Sequence, residues 1–400
     1  SLWQIPRKGL PVPIFLLFAL LSVASQSPAW AALPEPVPLI ARSGQRSPEW
    51  YRQQADQWKD VVRSDSTDVR SWRNYYLATE YSFLASPAND DKEHALNAIF
   101  AAMGSTVPHS YEYQFIRQRR ASFAAPDTKI ALIEEALQHC PDCAELYANL
   151  ATAWEMSGQT ERANEIWTKL YQSQYLAPGL LDFNYNVLMS TLPNAILFTN
   201  GDNDTFPAWV LQRTQAVRAD VLLLNLHLVW RDRSYFYRKL QEHGIDLSTN
   251  DLSGDDRADF VAALTASLEQ MAPEIPVYFA LTVGNQFRER INDDLYMVGL
   301  ASRYSSHGID NLGRLRHNLE HRFRLDYLKH DWYSEDHPST RPVVAWLNTN
   351  YAYPFFLLAD HYQISGEPER SDIWRQRAFD VARDYPLLLE QLRNRTPREK

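Results

Sequence analysis

The chain of 400 residues is poor in cysteine, with two, and it has no block of clustered lysine and arginine. Its net charge is −9, and phosphate backbones are bound by clustered basic side chains, so we expect no nucleic-acid partner. Beyond the N-terminus no apolar run is long enough to span a bilayer, which argues against membrane insertion of the mature protein. A G-x-S-x-G nucleophile elbow is also lacking, so that class of hydrolase is not indicated.

The N-terminus, 1–31, has the layout of a secretory signal peptide. Two basic residues precede the apolar run IFLLFALLSVA (14–24), and an Ala-Trp-Ala cleavage pattern follows at 29–31. The run itself is too short to cross a bilayer. We therefore predict an exported protein, periplasmic in a Gram-negative host, whose mature chain opens with a proline-rich leader at 32–44.

Helical periodicity dominates the next region, 45–178. Its clearest piece, 143–172, alternates large and small residues on one face of each of two helices, with Gly158 between them. This spacing resembles a tetratricopeptide (TPR) repeat, a helix pair that stacks on its neighbours to form a concave binding surface. A second TPR-like pair is predicted at 340–390. Such surfaces bind a protein or peptide partner, and a glycan is a further candidate.

The two cysteines, Cys140 and Cys143, lie in the sequence HCPDC, directly after a segment with helical periodicity. A thioredoxin-like redox pair follows a strand instead, so we set redox catalysis aside. In an exported chain the pair forms either a local disulfide or two reduced cysteines at a turn between helices.

The pattern changes over 180–335, where short apolar runs alternate with helical segments. The runs are AILFT (195–199), DVLLLNLHLVW (220–230) and PVYFALT (276–282), and LYMVGLASRYS (295–305) predicts one more strand. Nearly continuous apolar strands separated by helices are typical of parallel βαβ units. The predicted fold class is therefore α/β plus all-α, a Rossmann-like parallel-sheet domain flanked by TPR-like helical repeats.

The first of these strands runs into a polar loop, NGDNDT (200–205). Ligands of open parallel sheets gather at the carboxyl ends of the strands, where this loop and the end of the second strand lie. Turn formation and helix capping account for one or two of the polar side chains, and the surplus predicts a ligand site. The predicted ligand-binding residues are Asn200, Gly201, Asp202, Asn203, Asp204, Thr205, Asn225 and His227. Arg231, Thr282, Asn285 and Arg288 are expected to face the same crevice.

The charge of the loop narrows the choice of ligand. Two carboxylates without a lysine repel a phosphate unless a metal intervenes. Hydroxyl-rich ligands, amines or a divalent cation fit better, and Asp202 and Asp204 are the candidate metal ligands. No other cofactor is predicted.

The segments ILFTNGDNDTFPAWVLQ, VRADVLLLNLHL, IPVYFALTV and LYMVGLASRYS together resemble a module of exported bacterial TPR proteins whose role is unsettled. A similar module forms the soluble C-terminal part of bacterial membrane proteins related to GT-C-type protein O-mannosyltransferases. The likeness covers 185–390, and relatives tend to carry a different residue at the position of His227. Because catalysis in those relatives belongs to a multi-pass membrane portion that this sequence lacks, the resemblance implies cell-envelope glycan biology without implying glycosyl transfer.

A second motif, HNLEH (317–321), matches the H-x-x-E-H pattern of some zinc proteases. On the single long helix predicted for 310–330, Leu315 and Leu319 belong to the buried stripe. Both histidines of the motif then face solvent, and a catalytic zinc is not expected there.

These observations favour a binding or scaffold protein with a small-ligand or cation site at the 200–205 loop. The alternative is an extracytoplasmic enzyme acting on a glycan or an ester, with Asp202 or Asp204 as base or metal ligand and His227 assisting. The absence of an evident nucleophile or of a complete metal-ligand set favours binding.

Overall fold

Helices account for most of the structure, and the strands form one small sheet. The computed structural model describes residues 33–394, apart from 86–89, 123, 248–251, 253, 255 and 331–339. The predicted signal peptide lies outside the described residues. Within them, no helix combines the length and the apolar character that crossing a bilayer requires.

The first half of the chain is helical up to the sheet. The helices are α1 (Ile40–Ser43), α2 (Pro48–Ser64), α3 (Val69–Ser82), α4 (Asp90–Thr106), α5 (Tyr111–Arg120), α6 (Pro126–His139), α7 (Tyr147–Met156), α8 (Thr160–Gln172) and α9 (Pro178–Met189). Side-chain caps start several of them; the hydroxyl oxygen of Ser110, for example, accepts a hydrogen bond from the backbone N–H of Tyr113 at 3.1 Å.

The helix pair predicted over 143–172 is confirmed as α7 and α8. Gly158 lies between them with φ +81°, a left-handed conformation that glycine adopts without strain. Trp154, Ala163 and Trp167 are buried, as the alternation of large and small residues predicts. Cys140 and Cys143 are joined by a disulfide in the turn between α6 and α7.

The proline-rich leader is an integral part of the helical half. Val37 is buried, and its backbone N–H donates to Asn74 Oδ1 at 2.7 Å. The indole of Trp58 donates to the carbonyl of Glu35 at 3.1 Å. These contacts hold the leader against α2 and α3.

The sheet has five strands in the order β2-β1-β3-β5-β4. They are β1 (Ile196–Thr199), β2 (Leu222–Asn225), β3 (Val277–Ala280), β4 (Leu295–Met297) and β5 (Ala301–Tyr304), and the intervening helices are α10 (Phe206–Gln215), α11 (Leu226–Arg231), α12 (Arg233–Glu242), α13 (Arg257–Met271) and α14 (Asn285–Arg288). Strand β1 is parallel to both β2 and β3, as predicted. All residues of these three strands are buried, so helices or loops cover both of their faces.

Two strand predictions need correction. The run 220–230 is a strand only as far as Asn225, because the Asn225 side chain caps a new helix, accepting from the N–H groups of His227 and Leu228 at 2.9 and 3.2 Å. The run 295–305 forms two antiparallel strands rather than one, because the chain reverses at Gly299 with φ +151°. The sheet is therefore mixed, not wholly parallel.

The single long helix predicted for 310–330 is also wrong. Helix α15 (Asn311–His317) passes into a π-helical turn at Asn318–Arg322 and stops. The buried Asn318 side chain donates to the carbonyl of Val298 at 2.7 Å, and the backbone N–H of Arg324 donates to Asn186 Oδ1 at 2.7 Å. These tertiary bonds replace the helical bonds that the segment would otherwise make.

The C-terminal segment is again helical. Its helices are α16 (Tyr327–His330), α17 (Arg341–Asn348), α18 (Ala352–Ile364), α19 (Pro368–Ala382) and α20 (Pro386–Arg393). Helices α18 and α19 form the predicted pair, with Gly366 at φ +78° between them and Tyr362 and Ala378 buried.

Candidate functional site

The 200–205 loop follows β1, which lies between β2 and β3 in the sheet. After β1 the chain forms β2 on one side of β1 and later forms β3 on the other side. Such a reversal of strand order opens a crevice at the carboxyl ends of the strands, and ligands of open α/β sheets bind there. The loop therefore lies where the sequence placed a site.

Asp204 is a structural residue of this loop. It is 3% exposed. Its carboxylate accepts from the backbone N–H groups of Asn200 and Gly201 at 2.8 and 2.6 Å, and from the hydroxyl of Thr282. Burial raises the pKa of Asp204, while these hydrogen bonds act in the opposite direction. Asp204 thus ties its own loop to the segment after β3, and it does not cap α10.

Thr205 and Asn225 form a second structural group. The Thr205 hydroxyl lies 2.7 Å from that of Thr199 and accepts from Asn225 Nδ2 at 2.9 Å. The same Nδ2 lies 3.2 Å from the carbonyl oxygen of Asn200 and 3.3 Å from that of Gly201. Asn225 therefore joins the ends of β1 and β2 while its Oδ1 caps α11.

Asn203 connects the loop to the leader. Its Nδ2 donates to the carbonyl of Ala41 at 2.9 Å, across a sequence separation of 162 residues. Its own carbonyl accepts from Asn184 Nδ2 at 2.8 Å. Asn200 differs from its neighbours, because its side-chain Oδ1 is buried and has no hydrogen-bond partner among the described residues.

Asp202 is the carboxylate that faces open space. Among the described residues its carboxylate accepts no hydrogen bond and forms no ion pair, and the residue is exposed. Burial by the surrounding walls raises its pKa, and the nearby charge of Asp204 raises it further. The group is thus reachable from solvent, and its ionised form is less favourable than that of a free aspartate.

Two adjoining cavities, of about 310 and 410 Å³, meet at Asp202. We call the two together the cleft. Both are lined by Leu39, Arg119, Glu145, Asn149, Asp202 and Phe206. The first cavity also contains Gln118, Lys129 and Arg231, and the second contains Arg42, Tyr81 and Tyr175. The cleft is therefore built from the leader, from α5 to α7, from the loop and from α11.

The charged side chains of the cleft are held by defined contacts. Glu145 accepts two bonds from Arg73, at 2.7 and 2.6 Å, and one from the hydroxyl of Tyr111 at 2.7 Å. Arg119 pairs with Glu80 through Nε at 2.8 Å. Glu145 and Arg119 are therefore positioned before any ligand arrives.

Lys129 lies in the same wall without such a partner. No ion pair of the described residues includes Lys129, and its ammonium donates to the carbonyl of Gln118. Burial, followed by the charges of Arg119 and Arg231, lowers its pKa to about 8. Three basic groups thus lie close enough together to influence one another.

The remaining predicted residues divide into two groups. Thr282 reaches the loop through Asp204, and Arg231 lines the first cavity. His227 lines neither cavity; its ring packs edge-on against Phe287 at 5.0 Å, and burial lowers its pKa. Asn285 is exposed and accepts from Asn292 at 3.0 Å. The expected convergence therefore holds for part of the set only.

Of the two predicted metal ligands, only Asp202 has a carboxylate available for a cation, because both oxygens of Asp204 accept hydrogen bonds. No cluster of three or more His, Cys, Asp or Glu suited to a metal ion occurs in the described ranges. The motif at 317–321 has the predicted orientation, with Leu315 and Leu319 buried and both histidines exposed.

Sequence reasoning missed the helical wall of the cleft: Gln118, Arg119, Lys129, Glu145 and Asn149. These residues precede the loop by more than fifty positions, and no periodicity connects them to it. A weak signal exists in QFIRQRR (114–120), which concentrates cations in a short stretch. A solvated helix face has the same composition, so the pattern alone does not identify a site.

Comparison with protein families gives one match. The family described as TMEM260-associated domain 2 matches residues 180–241, from α9 into α12. This range includes the 200–205 loop, Asn225 and Arg231. A comparison with curated proteins finds no match. The family match links this segment to TMEM260-like proteins, a group related to O-mannosyltransferases.

Proposed function

We propose that the protein is an exported binding protein that holds a small, hydroxyl-bearing ligand in the cleft, against Asp202. In this proposal the central α/β part is Rossmann-like, and the flanking helix pairs are TPR-like repeats that bind a protein or peptide partner. The observation that carries the proposal is the difference between two aspartates two positions apart.

Asp204 has every feature of a structural carboxylate, and Asp202 has none. The Asp202 carboxylate makes no hydrogen bond to the described residues, while the surrounding walls and Asp204 raise its pKa. A carboxylate with a raised pKa and no hydrogen-bond donor is unfavourable when ionised, so its place in a cleft favours a ligand that supplies the missing donors.

The chemistry of the cleft favours a sugar-like ligand. A carboxylate accepts hydrogen bonds from hydroxyl groups, and the exposed amide of Asn149 adds both a donor and an acceptor to the same walls. Cavities of about 310 and 410 Å³ lie in the range of small-molecule sites. The match to TMEM260-associated domain 2 supports a role connected with cell-envelope glycans.

The enzymatic alternative has less support. It assigns Asp202 or Asp204 as base or metal ligand, with His227 assisting. Asp204 uses both oxygens in hydrogen bonds, however, and His227 lines neither cavity. A divalent cation at Asp202 would likewise need further ligands from outside the carboxylate pair.

The test is a thermal-shift and calorimetric screen of residues 32–400 with mannose, glucose, N-acetylglucosamine, ethanolamine, Mg²⁺ and Ca²⁺. Ligand binding to the folded state raises the melting temperature by mass action. We expect a sugar to stabilise the wild type and Asp293→Ala, an exposed acid outside the cleft, but not Asp202→Ala.

Two outcomes would overturn the proposal. If a sugar stabilises Asp202→Ala as much as wild type, Asp202 is not its binding residue. If only Ca²⁺ or Mg²⁺ stabilises the protein, and does so through Asp202, the site binds a cation and the sugar assignment is wrong.

A further inference from the structure

The lining of the first cavity carries charges of both signs. Its carboxylates are Asp202 and Glu145, and its basic residues are Arg119, Lys129 and Arg231. The charges of Arg119 and Arg231 both act on Lys129, so these three basic groups lie near one another. We call these three residues the basic wall. The sequence predicted that the 200–205 loop, which lacks a lysine, repels a phosphate unless a metal intervenes. The basic wall comes from α5, α6 and α11 instead.

Two members of the basic wall, Lys129 and Arg119, have N–H groups that make no bond to the described residues. Lys129 uses one described bond, to the carbonyl of Gln118, although an ammonium group has three protons. Arg119 binds Glu80 through Nε and Tyr81 through Nη2, and its Nη1 makes no bond to the described residues. Arg231 is held over the cavity by the carbonyls of Ser122 and Ala124, each at 3.2 Å.

Gln118 adds an acceptor beside these donors. It is 2% exposed and lines the first cavity, and its Oε1 has no hydrogen-bond partner among the described residues. A buried amide oxygen without a donor reduces stability, so this position favours a ligand hydroxyl group. The wall therefore offers contacts for an anion and for a hydroxyl group together.

The geometry points to an acidic sugar as the ligand, with a carboxylate or phosphate on the basic wall and hydroxyl groups on Gln118 and Asp202. This inference rests on the proposed function, because it places the sugar against Asp202. It goes further in assigning the chemical class, because a neutral sugar would supply no negative charge to face Lys129. Lys129 forms no ion pair with the described residues, so it then contributes most to the selectivity.

The experiment is isothermal titration of residues 32–400 at pH 7 and low ionic strength with glucuronate, glucose 6-phosphate, glucose and inorganic phosphate. We expect at least tenfold tighter binding of an acidic sugar than of glucose. Lys129→Gln should weaken the acidic sugar at least tenfold and leave glucose unchanged. Lys169→Gln, an exposed lysine on α8 that lines neither cavity, is the matched control and should bind like wild type. Comparison of glucuronate with glucose 6-phosphate identifies the anionic group.

The failures are distinguishable. If glucose binds through Asp202 as tightly as both acidic sugars, the acidic-sugar inference is wrong while the proposed function stands. Phosphate and both acidic sugars could bind with equal affinity through Lys129, and Asp202→Ala could leave that affinity unchanged. The site would then bind an anion only, and both the sugar-binding function and the acidic-sugar inference would be wrong. If Lys129→Gln and Lys169→Gln weaken binding alike, the basic wall has no specific role.

Discussion

The two aspartates of the loop can be compared directly by mutation, because the same change to alanine should affect the free energy of unfolding differently at the two positions. Asp204→Ala removes three accepted hydrogen bonds and leaves the N–H groups of Asn200 and Gly201 without partners. A buried donor without a partner costs about 1–3 kcal/mol, and relief of the buried charge offsets part of this. We expect a loss of about 2–4 kcal/mol in the free energy of unfolding.

Asp202→Ala removes no hydrogen bond. The folded-state pKa of Asp202 is raised, so its ionised form is less favourable in the folded than in the unfolded protein at pH values above both pKa values. Removing the carboxylate at pH 7 should therefore leave stability unchanged or increase it. Lowering the pH through the folded-state pKa should reduce that difference from wild type.

The assay is differential scanning calorimetry of residues 32–400 at pH 7, without ligand. For a chain of this length an unfolding entropy of about 2.1 cal/mol/K per residue makes 1 kcal/mol equivalent to about 1.3 °C. Asp204→Ala should melt about 3–5 °C lower, and Asp202→Ala within about 1 °C of wild type or higher. Equal losses in the two variants, or no loss in Asp204→Ala, would refute the distinction on which the site rests.

Three more outcomes are expected. A bound anion raises the pKa of Lys129 from about 8, so the affinity for glucuronate should be constant below pH 7 and fall above pH 8, by at most tenfold per pH unit. Titration calorimetry at pH 7, 8 and 9 measures this affinity, and an affinity that does not change with pH would contradict the prediction. Asn225→Ala removes the cap of α11 and the bond to Thr205, so urea unfolding should show that the free energy of unfolding falls by about 2–3 kcal/mol. A decrease below about 1 kcal/mol would show that these bonds are weak. Gly158→Ala forces alanine into a left-handed conformation and should cost about 1–2 kcal/mol in the same assay, whereas Gly308→Ala, in open space, should cost little; equal effects would count against strain.

Local pattern was sufficient for much of the fold. The apolar runs at 195–199 and 276–282 predict strands because they are short, bounded by polar or turn residues and separated by helical segments. The helix pair at 143–172 is predicted because Gly158 separates two periodic faces. These features depend on neighbours within one helix or strand, and short-range pattern describes such neighbours well.

Tertiary contacts account for what the pattern missed. The strand at 220–230 stops early because the Asn225 side chain bonds to the 200–205 loop and caps a helix. The helix at 310–330 breaks because Asn318 bonds to residues remote in sequence. The candidate site divides in the same way. The loop was recognisable from its surplus of polar residues, but the sequence could not separate Asp202 from Asp204, since that difference depends on Thr282 and on the walls around the cleft.

The bond between Asn203 and Ala41 joins residues 162 positions apart, and the leader residues Leu39 to Arg42 form part of the second cavity. During synthesis a growing chain contains the leader well before it contains the loop that completes the cleft. Closing so long a loop also makes this contact slow to form. The cleft is therefore complete only after the chain has been made as far as residue 205 and has folded back onto its own leader.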